Sequence, residues 1–151
     1  MSQAAKRKAV ASIRLLINAG AAKPAPPVGP ALGQAGLNIM AFCKEFNAKT
    51  AEFKDVPLRV LIKVYEDKSY DWMLKGPPSS WYIKQAAGLA RAADRPGHET
   101  VGAISLKHLY EIAKVKQPDM PGMSLRGVVK CLMSQCQSMG VKVVERPEDA
   151  L

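Results

Sequence analysis

The stretch KGPPSS, Lys75 to Ser80, divides the chain in two. Its consecutive prolines forbid a continuing strand or helix, because each fixes φ and removes a backbone N–H, while Gly and Ser free the chain on either side. It reads as an interdomain hinge, semi-rigid rather than floppy. Upstream the apolar pattern is mainly strand-like and downstream it is helical. The expectation is an α+β chain: a small N-terminal α/β domain over 1–74, a hinge over 75–80, and a compact helical domain over 81–151.

Leu58, Val60, Ile62 and Val64 alternate with Arg59, Leu61, Lys63 and Tyr65, the period of a half-buried strand. A turn at Glu66 to Ser69 and renewed alternation at Tyr70, Trp72 and Leu74 make this a hairpin. Ala9 to Ile17 alternates more loosely and supplies a third strand. Asn38 is placed to cap a helix carrying Ile39, Phe42, Cys43 and Phe46 at i, i+3, i+4 and i+7. Between them lies AAKPAPPVGPALGQAGL, Ala21 to Leu37, a stiff connector charged only at Lys23, whose prolines argue against strand or helix.

Beyond the hinge, Trp81 to Arg91 reads as a short helix. Arg91 to Thr100 lacks apolar periodicity and reads as a loop, mobile when unliganded. Ser105 caps a helix with Leu106, Leu109, Ile112 and Ala113 inside and Lys107, Glu111 and Lys114 outside. QPDMPG, Gln117 to Gly122, ends it. Ser124 opens the most legible helix: Leu125, Val128, Val129, Leu132, Cys136 and Met139 form one apolar stripe, closed by Gly140. Val141 to Val144 finishes as a short strand.

The chain has 151 residues, 48% hydrophobic and 23% charged, with a net charge of +9. That excess points to an anionic partner, nucleic acid or an acidic membrane surface. The cations are spread along the chain until an acidic tail containing Glu145, Glu148 and Asp149. No apolar run approaches the roughly 20 residues that span a bilayer. Cys43, Cys131 and Cys136 form no CxxC, His98 and His108 are not spaced for zinc, and the sparse thiols suit a reducing compartment. No phosphate-binding GxxxxGK[ST] loop or GxSxG elbow occurs, and no carboxylate pair has a setting that would split its pKa values. Catalysis, a cofactor or a small-molecule substrate is therefore not expected.

Opposite the apolar stripe of the last long helix lie Arg126, Lys130, Ser134 and Gln137, flanked by Cys131, Gln135 and Ser138, with no Asp or Glu among them. Solvent-facing helices ordinarily mix both signs. Cations neutralise phosphates, and Ser and Gln bond 2′-hydroxyls and base edges. A plain solvated face is the alternative. Arg91, Arg95 and His98 in the loop, and Lys107, His108, Lys114 and Lys116 on the preceding helix, add cations to the same half. No aromatic-rich single-strand motif is present, so shape readout of folded RNA is expected.

PAPPVGPALGQ, Pro24 to Gln34, followed by LNIMAFCK, Leu37 to Lys44, closely resembles the signature of the large-subunit ribosomal protein eleven family, the stalk-base proteins. The similarity runs from about Val10 to Val144 and includes Pro77-Pro78, Ala86 to Gly88, Tyr110 to Ala113 and Ser138 to Gly140. The resemblance implies a non-catalytic protein whose C-terminal domain grips a compact fold of large-subunit rRNA. Its N-terminal domain would move about the hinge and meet translational GTPases and release factors, beside ribosomal stalk protein ten. Carried over, the rRNA contacts are Lys75, Ser79, Lys84, Gly88, Arg91, Arg95, His98, Lys107, Lys114, Lys116, Arg126, Lys130, Ser134, Gln135, Gln137, Ser138, Met139 and Gly140. Pro24, Pro26, Pro27, Gly29, Pro30 and Gln34 would line the cleft passed by factors and entered by thiopeptide antibiotics.

One departure stands out. The family usually carries Gly-Thr-Ala and a variable residue before Ser-Met-Gly, where this chain has SQCQ, Ser134 to Gln137. Larger side chains there imply an altered approach to the rRNA. SSWYIK (Ser79 to Lys84), RPGH (Arg95 to His98) and AKVKQ (Ala113 to Gln117) look most like plant or algal mitochondrial members. That makes a mitochondrial ribosome the expectation, with chloroplast or bacterial cytoplasm as alternatives. A stand-alone adaptor that uses its charge only for solubility is the competing class.

Overall fold

The computed structural model describes residues 8–53, 55–146 and 148; the MSQAAKR start and Asp149 of the acidic tail lie outside the described residues. The chain separates into two compact units, Met1–Pro77 and Pro78–Leu151.

In the first unit, β1 (Ala9–Asn18), β2 (Pro57–Tyr65) and β3 (Tyr70–Lys75) form an antiparallel sheet in that order. Ile13 pairs with Ile62 and Ile17 with Leu58, while Ile62 also faces Trp72 across the hairpin. This register puts Ile17, Val60, Ile62 and Val64 on one side, where they pack with Val28, Leu32, Phe42 and Phe46 of the helices. The Trp72 ring meets Phe42 edge-on at 5.7 Å between centroids, a geometry aromatic quadrupoles favour. Asn38 caps α2 (Ile39–Lys49), its Oδ1 accepting from the Ala41 N–H at 3.2 Å.

The proline-rich connector is not irregular throughout. Val28–Gln34 forms a two-turn helix, α1, with Val28 and Leu32 buried. Pro30 is tolerated because it falls in the first turn, where backbone N–H groups have no intrahelical partner to lose. The entry to this segment is clamped to α2: the Ala22 N–H donates to Asn47 Oδ1 at 3.0 Å, and Asn47 Nδ2 donates to the Ala22 carbonyl at 3.1 Å.

Strand β3 runs on to Lys75 and α3 (Ser79–Ala86) begins at Ser79, so only Gly76, Pro77 and Pro78 separate them. The helix expected over 81–91 therefore starts two residues earlier and stops five earlier. Its end is a Schellman turn: Gly88 has φ +65°, the Leu89 N–H donates to the Lys84 carbonyl at 2.8 Å, and the Gly88 N–H donates to Gln85 at 3.2 Å.

The second unit contains a strand not read from the sequence, β4 (Gly102–Ser105), which pairs in parallel with β5 (Val141–Val144). Parallel neighbours need a long crossover. Here α4 (Leu106–Lys116), a 3-10 turn (Gln117–Asp119) and α5 (Leu125–Ser138) provide it. Ser105 and Ser124 cap α4 and α5, their Oγ atoms accepting from the His108 and Gly127 N–H groups. Val128, Leu132 and Cys136 of α5 lie in a core with Ile83, Ile104, Leu109 and Ala113. Burying a side chain such as Leu132 is worth roughly 1.5–3 kcal/mol. Leu106, expected inside, is exposed and lines an open apolar groove with Tyr110, Leu125 and Val129.

Candidate nucleic-acid interface

The apolar stripe of α5 fixes which residues its opposite face presents. Arg126, Lys130, Ser134, Gln137 and Ser138 are exposed and Gln135 is half-buried. No acidic residue lies in the first turn of α5 and no basic residue in its last. The helix macrodipole, positive at the N-terminus, disfavours cations at the first turn. The Arg126 charge therefore gains nothing from the dipole, and the side chain lies exposed at the rim of the apolar groove with Tyr110, Leu125 and Val129. The last turns of this face are short and hydroxylic. Ser134 Oγ donates to the Lys130 carbonyl at 3.2 Å and Ser138 Oγ to the Gln135 carbonyl at 2.7 Å, which leaves their oxygen lone pairs as acceptors.

The 88–101 loop is tied to the end of this helix. The Ala93 N–H donates to the Met139 carbonyl at 3.0 Å, and the Val101 N–H donates to Gly140 at 2.9 Å. Between these ties the His98 and Glu99 N–H groups both donate to the Arg95 carbonyl at 3.1 Å, closing a tight turn that exposes Arg95 and His98. Arg91 is exposed beside it and ion-paired with Asp94. The arrangement sets cations from the loop beside the hydroxylic end of α5.

Not every residue expected at the interface is available to it. Lys116 is 1% exposed, and its Nζ bonds Asp119 Oδ2 at 2.6 Å with the Tyr82 ring 5.9 Å away. It is a buried cation joining the end of α4 to the following turn, in contrast to the exposed Lys107. Met139 and Gly140 are buried, and their carbonyls accept from the Ala93 and Val101 N–H groups of the loop. Gly88 serves the end of α3. Lys75 belongs to β3, opposite Arg59, and so lies in the first compact unit rather than with α5. Ser79 and Lys84 are half-buried on α3. Lys107 is exposed; Lys114 is exposed too but engaged, 3.0 Å from Glu111 and 4.5 Å from the Tyr110 ring centroid. Pro24, Pro26, Pro27, Pro30 and Gln34 are exposed and Gly29 half-buried, all in the other unit.

Ala93 was missed by sequence reasoning; nothing in the run AARAAD distinguishes an alanine that docks on a helix end. Cys131 is exposed on α5, whereas Cys43 and Cys136 are buried. Burial pushes the Cys136 thiol up to about 11. Among the described residues no group of His, Cys, Asp and Glu could hold a metal, and no helix is long and apolar enough to cross a membrane.

Residues 13–70 match the family described as ribosomal protein L11, N-terminal domain, and residues 75–143 match ribosomal protein L11, RNA binding domain. The second match spans both the α5 face and the loop tied to it. The two matches together account for most of the sequence, and the chain belongs to the ribosomal protein L11 family.

Proposed function

We propose that the acid-free outer face of α5, with the loop tied to its end, is the surface by which this large-subunit ribosomal protein binds rRNA at the stalk base. The protein is structural and not an enzyme. The observation that carries the reading is the sequence of groups along α5: cations at Arg126 and Lys130, then acceptors at Ser134, Gln137 and Ser138. Cations supply salt-dependent attraction to phosphates, and short polar groups follow the wide minor groove of folded RNA. Lys84, Arg91, Arg95 and Lys107 extend the positive surface, and the exposed His98 adds a polar ring beside them.

The N-terminal unit, in this reading, moves about Gly76-Pro77-Pro78 and presents itself to translational GTPases, release factors and stalk protein ten. Its Pro24 to Gln34 edge faces the rRNA across the cleft. The likeness of Ser79 to Lys84 and Arg95 to His98 to organellar sequences favours a mitochondrial ribosome.

The test is binding of the full chain to a stalk-base rRNA fragment against an arbitrary hairpin of equal length, at several salt concentrations. Preference for the first by roughly 1,000-fold or more is expected, in line with the gap between specific and non-specific nucleic-acid binding. Equal affinity for both would favour an adaptor that uses its charge for solubility.

A further inference from the structure

Among the described residues of the first unit, α1 and α2 pack on one face of the sheet. Strand alternation sends Arg14, Leu16, Leu61, Lys63, Met73 and Lys75 to the other face, together with the half-buried Arg59 between Leu16 and Lys75. The register aligns them: Arg14 pairs with Leu61, which pairs with Met73, so one row across the sheet runs cation, leucine, methionine. Leu16 is 51% and Met73 49% exposed. Both lie on the edge strands, either side of the half-buried Leu61 on the central one, and antiparallel sheets ordinarily turn polar side chains to a solvated face. The one carboxylate among the paired positions here, Asp71, accepts from the Tyr65 hydroxyl at 2.8 Å.

We propose that this open sheet face is a docking surface for an acidic amphipathic helix of a partner protein, with Leu16, Leu61 and Met73 meeting its apolar stripe and Arg14, Lys63 and Lys75 meeting its flanking carboxylates. Charge and shape chemistry select this occupant. An RNA-binding sheet stacks bases on exposed aromatic rings, and the ring that these rows carry outward, Tyr65, is held by Asp71. Long apolar side chains ringed by cations instead match a helix with leucines at i, i+3, i+4 and i+7 bordered by glutamates. Lysine and arginine stems add to the apolar footprint while their heads reach outward. The inference concerns a surface separate from α5 and stands or falls independently of the rRNA reading.

The experiment uses the full chain and a synthetic helical peptide of about five turns with leucines at i, i+3, i+4 and i+7 and glutamates on both flanks. A peptide of the same composition in scrambled order is the control, and the readout is fluorescence anisotropy. Binding at least tenfold tighter than the scrambled control is expected, and Leu61→Glu with Met73→Glu should abolish that preference while rRNA-fragment affinity stays within twofold. Both substitutions point away from the core, and unchanged rRNA binding reports an intact second unit; an unchanged circular dichroism spectrum reports the first. Equal binding of the two peptides overturns the proposal, as does undiminished preference in the double variant. A parallel loss of rRNA affinity overturns it in favour of an RNA-facing sheet.

Discussion

A β-carbon placed on Gly140 would fall 2.5 Å from Ala93 Cβ and 2.8 Å from the Glu99 carbonyl oxygen. Gly140 also has φ +71°, a conformation that costs other residues about 1–2 kcal/mol. The end of α5 and the basic loop therefore close on each other through a position that only glycine fits. Substituting Gly140→Ala should force the loop away from the helix and lower the stability of the second unit by roughly 1–3 kcal/mol. Hydrogen exchange at the Ala93 and Val101 amides, bonded to Met139 and Gly140 in the native fold, would report it. Unchanged protection at both would contradict the packing described.

The same ties limit how much of the loop is free. Residues Asp94 to His98 should show more backbone motion before RNA binds than Ala93, Glu99 and Val101, which bond to or pack on the end of α5. Heteronuclear NMR relaxation of the full chain separates this from mobility of the whole 88–101 stretch.

Lys116 and Asp119 make the most buried ion pair among the described residues. Truncating Lys116→Ala strands a largely buried carboxylate, an event costing roughly 3 kcal/mol. Lys116→Met removes the charge but retains the stem. In a variant that stays folded it should leave the salt dependence of rRNA binding unchanged, because a buried cation releases no counterion from RNA. A shallower dependence would return Lys116 to the interface.

The three thiols should differ in reactivity. Cys131 is exposed and should alkylate in the native protein, while Cys43 and Cys136 should react only on unfolding. The Cys136 thiol is raised from 9.0 to about 11 by burial, so the folded protein keeps it neutral where the unfolded chain ionises it. Its effect on stability is therefore flat below pH 9 and becomes unfavourable as pH rises from 9 to about 11. The stability advantage of wild type over Cys136→Ala should shrink across that window in denaturant titrations.

Much of this fold was legible where one residue period ran long enough to dominate. The β2–β3 hairpin alternates cleanly on both sides of Glu66 to Ser69, and α5 carries an unbroken stripe between Ser124 and Gly140. The capping roles of Asn38, Ser105 and Ser124 followed from side chains able to reach the first free N–H groups. What escaped was short or depended on partners distant in sequence. GAIS, Gly102 to Ser105, is too brief to show a period and becomes a strand only because β5 lies beside it. The helix at Val28 to Gln34 was hidden by prolines whose position, not number, decides whether a helix forms. The acid-free face of α5 could be read directly. The burial of Lys116 could not, since an i, i+3 pair with Asp119 looks the same on paper whether wet or dry.

In the proposed complex, Arg126 and Lys130 on the outer face of α5 contact rRNA phosphates. The most direct measurement is the slope of log affinity against log salt for the full chain on the stalk-base rRNA fragment, compared with Arg126→Ala combined with Lys130→Ala. Removing a single cation–phosphate pair should reduce the slope by about one, so the double variant should be shallower by about two and bind more weakly throughout. An identical slope and affinity in the double variant would contradict the claim and place the RNA on another face of the protein.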